Sequence, residues 1–353
     1  MRKTLVALVL MAGAFLLFRH FQPEIGERLF ARAVAANVGR DARDALPDGL
    51  HVALCGAGSP LPAPGRAGPC TAVIAGRRLF IVDTGGGSVR TLAAMGLPLG
   101  DIEAVLLTHF HSDHIDGLGE LMTLRWANGG SAGPLPVFGP PGVETIVHGL
   151  NAVYALDRGY RVAHHGADIV LPAGHGAAPR TFAADRPTVI LEDDGLRVTA
   201  FPVRHDPVRP AVGYRFDYAG RSVVISGDAA PGAAVPAQAK GADLLVHEAL
   251  NPAMVGVIER ALRSGDNARA AKIMSDIPDY HTSPEDAARA AAAAKVRMLV
   301  LTHIVPALPL GILEPYFLGG AGTLYAGPIV VGADGMLFSL PRGTDTIERS
   351  DLL

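Results

Sequence analysis

The chain predicts an α/β layered fold, and two observations carry that prediction. Short Val/Ile/Leu runs bounded by Gly or Pro recur along its 353 residues and alternate with stretches of helical apolar spacing. Several of these runs end in a residue able to ligate a metal, the arrangement of a site built at one edge of a sheet. Roughly 300 residues follow the N-terminal leader, room for one large domain, and no linker or repeat interrupts the pattern. The net charge of -3 gives no global attraction to nucleic acid.

Met1-Arg2-Lys3 is a short basic n-region, and Thr4 to Phe18 is an apolar run with no charge before Arg19. These are the marks of a signal peptide or signal anchor, assigned to residues 1–22. The run is shorter than the ~20 residues of a comfortable membrane span. Its cleavage candidates are awkward: Ala12-Gly13-Ala14 lies inside it, while Ala31-Arg32-Ala33 and Ala33-Val34-Ala35 lie well past it, so cleavage stays open. With Arg2 and Lys3 held on the cytoplasmic side, the bulk of the chain faces the periplasm or its equivalent, tethered by residues 4–18 if the leader is retained. A buried N-terminal helix of a cytosolic protein is the competing reading. Residues 23–48, with Ile25, Leu29, Phe30 and Val34 at helical spacing, form a linking helix, and residues 49–345 form the main domain.

Cys55 and Cys70 bracket a Gly/Pro-rich loop that includes Pro60 and Pro62, between the strand runs His51–Leu54 and Thr71–Ile74. Paired as neighbours, these runs bring the sulfurs together, and an oxidising compartment bonds them; two buried free thiols are the alternative. Leu79–Val82 reads as a buried strand, and Asp83 to Gly87 as a turn that needs positive φ. A helix over Val89–Leu97 and a strand over Ile102–Leu107 follow. That strand feeds the densest chemistry in the chain: His109, His111, Asp113 and His114, three imidazoles and a carboxylate within six positions. Such a group is costly to hold together unless a cation binds it, because the imidazoles must stay neutral and the carboxylate charged. Nitrogen and oxygen ligands without thiolate suit zinc or a similar first-row ion at a catalytic site.

Beyond it, Gly129–Gly142 encloses a strand at Leu135–Phe138, and Val143–Leu156 is a helix. Arg158, Tyr160, Arg161, His164 and His165 read as a solvated edge, with an anion-binding rim or a third metal site as the alternative. His20, His51, His148 and His175 stand alone and read as structural. Three later strands each deliver one ligand type at the C-terminal end: Leu196–Pro202 before His205, Val223–Ser226 before Gly227-Asp228, and Met298–Thr302 before His303. Ser283-Pro284-Glu285-Asp286 is a helix N-cap with proline at the first helical position.

His109, His111, Asp113 and His114 stand in HxHxDH spacing, and here the chain resembles the metallo-β-lactamase fold hydrolases. The resemblance implies an αββα sandwich, two mixed sheets packed face to face with helices outside. It also implies His109, His111 and His205 as ligands of one metal, Asp113, His114 and His303 as ligands of the other, and Asp228 bridging both. The cofactor is then two Zn2+, with Mn2+ or Fe also admissible, and a hydroxide in the remaining bridging position attacks an ester. Asp83 and the following glycine would support the metal loop from below. The matching motifs run from about Asp83 to His303.

Asp243–Ala249 further resembles the His-Glu-Ala signature of the ribonuclease Z group, and His281-Thr282-Ser283 its partner loop. This implies Asp113, His247, Glu248 and His281 as catalytic candidates, Glu248 orienting an imidazole that protonates the leaving oxygen. Two features depart from ribonuclease Z: the export leader, and the lack of a sustained basic run between His114 and His205. The opening around Cys55–Pro62 looks more like an exported, arylsulfatase-like branch. The expectation is therefore a binuclear hydrolase of small anionic phosphate or sulfate esters outside the cytoplasm. On this reading nucleic acid is not a partner, membrane contact is confined to the N-terminal segment, and a homodimer is in keeping with the resemblance. The alternatives are a ribonuclease Z-like RNA endonuclease and a metal-binding module without catalysis.

Overall fold

The computed structural model describes residues 2–61, 63–129 and 133–353. Pro62 and the Gly130–Ala132 part of the expected Gly129–Gly142 loop lie outside the described residues. The chain divides into two compact units, Met1–Asp41 and Ala42–Leu353. In the first, the leader and the start of the expected 23–48 linking helix form one helix, Arg2–Asn37, which runs through Pro23, buries none of its residues and ends eleven residues short of the expectation. By length and composition this helix is able to cross a membrane, with a mean hydropathy of 1.9 in its most apolar window.

In the second unit, β-branched and aromatic runs form fifteen strands among the described residues. They are β1 (Gly49–Gly56), β2 (Cys70–Ala75), β3 (Arg78–Val82), β4 (Ile102–Leu106), β5 (Leu135–Gly139), β6 (Ala177–Thr181), β7 (Thr188–Asp193) and β8 (Leu196–His205). Then follow β9 (Val208–Tyr218), β10 (Arg221–Ile225), β11 (Leu244–Leu250), β12 (Met298–Val305), β13 (Ile329–Val331), β14 (Met336–Pro341) and β15 (Glu348–Asp351). One sheet has the order β15-β14-β1-β2-β3-β4-β5-β6 and the other β13-β12-β11-β10-β9-β8-β7. Both are mixed: β1–β2 is antiparallel and β3–β4 parallel in the first, β9–β10 antiparallel and β10–β11 parallel in the second.

Alternation along each strand decides what packs where. Leu50, Val52 and Leu54 of β1 join Phe80, Leu106, Phe216, Val246 and Val300 in a core between the sheets. The Phe80 and Phe216 rings meet across it, 6.2 Å apart. Ala53 and Cys55 turn outward with Ile81, Val105 and Val137, under Leu92, Leu121, Met122 and Val147 of the helices on that side. On the far face Val224, Leu245 and Leu299 pack against Ala287, Ala288, Ala291 and Ala294. These alanines belong to the helix Pro284–Ala294, and their small side chains let it lie close to the sheet; Ser283 caps it, its Oγ accepting from the Asp286 N–H at 3.0 Å. The result is helix, sheet, sheet, helix.

Cys55 and Cys70 are joined in a disulfide that ties β1 to β2. His51 is buried and satisfied, with Nδ1 2.9 Å from Ser339 Oγ and Nε2 3.0 Å from the Pro47 carbonyl. The edge strand β15, Glu-Arg-Ser-Asp, lies beyond residue 345; its residues are all exposed, so no apolar periodicity announces it. The ligand candidates lie where β4, β8 and β10 end and at His303 within β12.

Candidate active site

The loop after β3 is the support on which the ligands rest. Asp83 takes a left-handed φ of 58°, a conformation that Asp tolerates better than most residues. Its Oδ1 accepts the Thr108 N–H at 2.8 Å, and its Oδ2 accepts both Thr108 Oγ1–H and His114 Nδ1–H at 2.8 Å. Gly85 is required by close approach rather than by φ: a Cβ there would sit 2.3 Å from the Gly68 carbonyl carbon and 2.5 Å from the Asp113 oxygen. Above it, the residues after β4 present His109 and His111, and the single helical turn Ser112–Ile115 presents Asp113 and His114.

The distant residues arrive at the same place. In the first group, His109 Nε2 lies 3.0 Å from His111 Nδ1, and His205 Nε2 lies 3.5 Å from that same atom. In the second, Asp113 Oδ2 lies 3.5 Å from His114 Nε2 and 3.3 Å from His303 Nε2. Asp228 Oδ2 stands between the groups, 3.8 Å from His109 and His205 Nε2 and 3.4 Å from His114 and His303 Nε2. All seven ligand candidates are thus brought together, with one carboxylate oxygen placed to serve both groups.

The local backbone explains two of these placements. Gly227, at φ 61°, turns the chain so that Asp228 faces the cluster; a Cβ there would lie 2.8 Å from the Val212 oxygen. His303 sits in a bulge of the β11–β12 ladder, where Glu248 pairs with Thr302 and Ala249 with Ile304, and its φ is 48°. Bulges and left-handed non-glycine residues both cost free energy and persist where the surroundings hold them, characteristically at functional sites.

The donor chemistry fits cations. His205 Nδ1–H donates to the Tyr280 carbonyl at 3.0 Å, and His114 Nδ1–H is held by Asp83, so each ring turns an Nε2 lone pair inward. Burial pushes His109 well below the usual imidazole range and also lowers His111 and His205, which keeps these ligands neutral. His109 Nδ1 lies 3.1 Å from Thr108 Oγ1, whose own hydrogen goes to Asp83, so Nδ1 carries the His109 proton and its Nε2 lone pair faces the cluster. His114 Nε2, Asp228 Oδ1 and His303 Nδ1 are buried and have no hydrogen-bond partner among the described residues. A His/Asp metal-binding cluster accounts for the unpartnered His114 Nε2, which lies beside both Asp113 and Asp228.

Beside it lies a charged relay. Glu248 Oε1, fully buried, accepts His281 Nδ1–H at 3.1 Å, Thr282 N–H at 2.9 Å and Ala229 N–H at 3.2 Å. Burial opposes charge on His281, but the Glu248 carboxylate outweighs it and raises the imidazole to about 9. The ring stacks on His303, centroids 5.4 Å apart, and meets His205 edge-on at 5.2 Å. His247 is not brought to this site. It precedes Glu248 on β11, so strand alternation sends it to the opposite face, where it lines a small pocket with Asp286 and Arg289. Arg158, Tyr160, His164 and His165 lie exposed along the helix Ala155–His165, in no metal-holding group found among the described residues.

Three functional groups escaped sequence reasoning: Thr108, the Tyr280 carbonyl, and Asp334, which accepts the Ala57 and Ala67 N–H groups at 2.9 and 2.7 Å and braces the loop beside Gly68. Only Thr108, adjacent to the first histidine, carried a local signal.

Residues 78–304 match the Beta-lactamase superfamily domain. The chain belongs to this superfamily. Within it, the chain is 39% identical over 287 residues to the ribonuclease Z of Mycobacterium avium strain 104, covering 81% of this chain and 96% of that protein. It is likewise 39% identical over 292 residues to the ribonuclease Z of Mycobacterium bovis strain BCG / Pasteur 1173P2, with the same coverage. Human tRNase Z, short form, shares the fold at a TM-score of 0.57 and 22% identity, over 82% of this chain and 99% of that one. The metallo-β-lactamase fold protein YhfI of Bacillus subtilis does so at 0.58 and 20%, again over 82% and 99%.

A superfamily member with this sandwich and these relatives is a metal-dependent hydrolase acting on ester bonds. The expectation that nucleic acid is not a partner is corrected: the relatives at 39% identity are ribonucleases. The expectation rested on the export leader and on the missing basic run between His114 and His205, and neither feature excludes a local contact with one phosphate. Positive charge confined to a site acts there whatever the global balance.

Proposed function

We propose that the protein is an exported, binuclear phosphodiester hydrolase that acts on RNA. The observation that carries the reading is the convergence of the seven ligand residues with the Glu248–His281 pair in one site. His109, His111 and His205 would hold one ion, Asp113, His114 and His303 the other, with Asp228 shared; zinc suits this donor set, and manganese or iron is compatible with it. Two such ions, when bound, polarise a phosphoryl oxygen and make water nucleophilic near neutral pH.

The chain's own residues do the rest. Asp83 and the Tyr280 carbonyl fix the tautomers of His114 and His205, so these rings offer lone pairs without reorganisation. Glu248 keeps the proton on His281 Nδ1, which leaves Nε2 to deliver a proton to the departing oxygen. The Glu248 carboxylate also takes two backbone N–H groups, so its position is set before substrate arrives.

Export is supported by the basic-then-apolar N-terminus, by a helix long and apolar enough to span a bilayer, and by the Cys55–Cys70 disulfide, which favours an oxidising compartment. The same features favour a second reading, hydrolysis of small phosphate or sulfate esters outside the cytoplasm. A panel run with zinc-loaded enzyme separates them: single-stranded RNA, an aryl phosphodiester and an aryl sulfate. We expect kcat/KM to be highest on RNA and lost in Asp228→Ala; preference for the aryl sulfate would overturn the RNA reading.

A further inference from the structure

A cleft of about 860 Å³ includes His205, one of the seven ligand candidates, in its lining. This volume falls in the ~300–1,000 Å³ range of sites that enclose a small molecule. It suits a nucleoside with its phosphate and is too small for paired strands. Its lining is mostly apolar, with Asp185 and Asp206 as its carboxylates. Pro141, Pro202, Val203 and Pro210 supply apolar surface, together with Ala183 and Ala184. On its rim stand two exposed guanidinium groups, Arg204 and Arg209, one on each arm of the β8–β9 hairpin.

Neither arginine is committed to a structural task. Among the described residues Arg204 Nη2 reaches the Pro231 carbonyl at 3.2 Å and no carboxylate, and Arg209 pairs with Asp206 three residues away on the same exposed turn. An exposed ion pair of this kind contributes little and exchanges readily for a better anion. A phosphate is such an anion, because a guanidinium binds it through two parallel N–H groups.

We propose that this cleft seats the nucleoside next to the scissile phosphodiester, with its base against the proline and valine wall and the adjoining backbone phosphate on Arg204 and Arg209. The proposal rests on the RNA reading above and names the part of the substrate that the hairpin reads. Prolines and valine offer a face on which any base lies without hydrogen-bond selection, so the cleft accepts single strands with little sequence preference. Arg204 and Arg209 are binding residues here and touch no reacting atom.

The test is steady-state kinetics of the full-length zinc-loaded enzyme on a single-stranded RNA tetranucleotide and on bis(4-nitrophenyl) phosphate, which has neither base nor second phosphate. The double variant Arg204→Ala/Arg209→Ala should raise KM on the tetranucleotide roughly tenfold or more with kcat little changed, and flatten its dependence on salt. The loss in kcat/KM on the aryl diester should be several-fold smaller. Arg204→Lys/Arg209→Lys, which keeps the charge and loses the fork, should recover part of the affinity and show that the hairpin still folds. Equal losses on both substrates, or an unchanged KM on the tetranucleotide, overturn the cleft assignment while leaving phosphodiester hydrolysis standing. A wild-type enzyme that cuts the aryl diester but no RNA overturns the cleft and the RNA reading together, and one that cuts neither overturns the hydrolase reading at its root.

Discussion

Asp83→Asn isolates one oxygen atom's contribution to the metal site. Asn tolerates the left-handed φ of 58° as well as Asp does, so the backbone is left in place and only the charge and one acceptor are lost. In the native chain the two carboxylate oxygens take three donors: the Thr108 N–H, the Thr108 hydroxyl and His114 Nδ1–H, each at 2.8 Å. A carboxamide keeps one acceptor oxygen and replaces the other with an NH2. If the amide oxygen stays on Thr108, the NH2 faces His114 Nδ1, and that ring must move its proton to Nε2. Nε2 is the atom that lies 3.4 Å from Asp228 Oδ2, so the proton then blocks the ligand position. Losing such an outer partner costs ~10–100-fold in metal affinity or activity, equivalent to about 1.4–2.7 kcal/mol. The assay is chelator competition for zinc with the metal-free protein, alongside urea unfolding to show that the variant is folded. Zinc affinity within twofold of wild type in a folded variant would refute the claim that Asp83 sets the His114 tautomer.

Further outcomes follow from the same geometry. Glu248→Gln removes the anion that holds His281 charged, so kcat should fall by ~10²–10⁴-fold with zinc content unchanged; His247→Gln, on the far face of β11, should cost far less, and a larger loss there would reverse the two assignments. Reducing the Cys55–Cys70 bond, which closes a separation of 15 residues, should destabilise the protein by about 3 kcal/mol in denaturant melts, and unchanged stability would remove the support it gives to export. Burial, opposed by the Pro47 carbonyl, lowers the His51 pKa below its ordinary 6.5. Folding therefore favours the neutral ring: its share of stability is complete above pH 6.5 and is lost as pH falls through the lower folded value. Urea midpoints of metal-free His51→Gln should decline less steeply than wild type below pH 6.5, and parallel profiles would show that the ring does not titrate with unfolding.

The cluster from His109 to His114 is legible because its chemistry is local: four ligand residues within six positions have no other economical use, and no tertiary information is needed to see it. His205, Asp228 and His303 are legible one step further, because a buried strand that ends in a ligand residue delivers it to the sheet edge. What sequence does not carry is the means of holding them. The Tyr280 carbonyl that sets the His205 tautomer is a backbone atom, indifferent to its own side chain. The bulge at His303 follows from how β11 and β12 pair, not from any glycine or turn residue nearby. Likewise β15 has no apolar face to betray it; it pairs with β14 through backbone bonds alone.

The ambiguity between His247 and His281 has a sharper cause. On a strand with one wet face, alternating hydrophobicity shows which residues point inward, and the phase of neighbouring positions can be read directly. β11 runs between parallel neighbours in the middle of its sheet, and all seven of its residues, Leu244 to Leu250, are buried. A strand covered on both faces reads as a continuous apolar run and has no visible phase. Two adjacent polar residues in it, His247 and Glu248, must then face opposite layers, but nothing in the run says which one faces the metals. Its partner loop decides: the backbone N–H of Thr282 reaches Glu248 Oε1 at 2.9 Å, which fixes Glu248 on the metal side, brings His281 with it, and leaves His247 beneath the alanine helix.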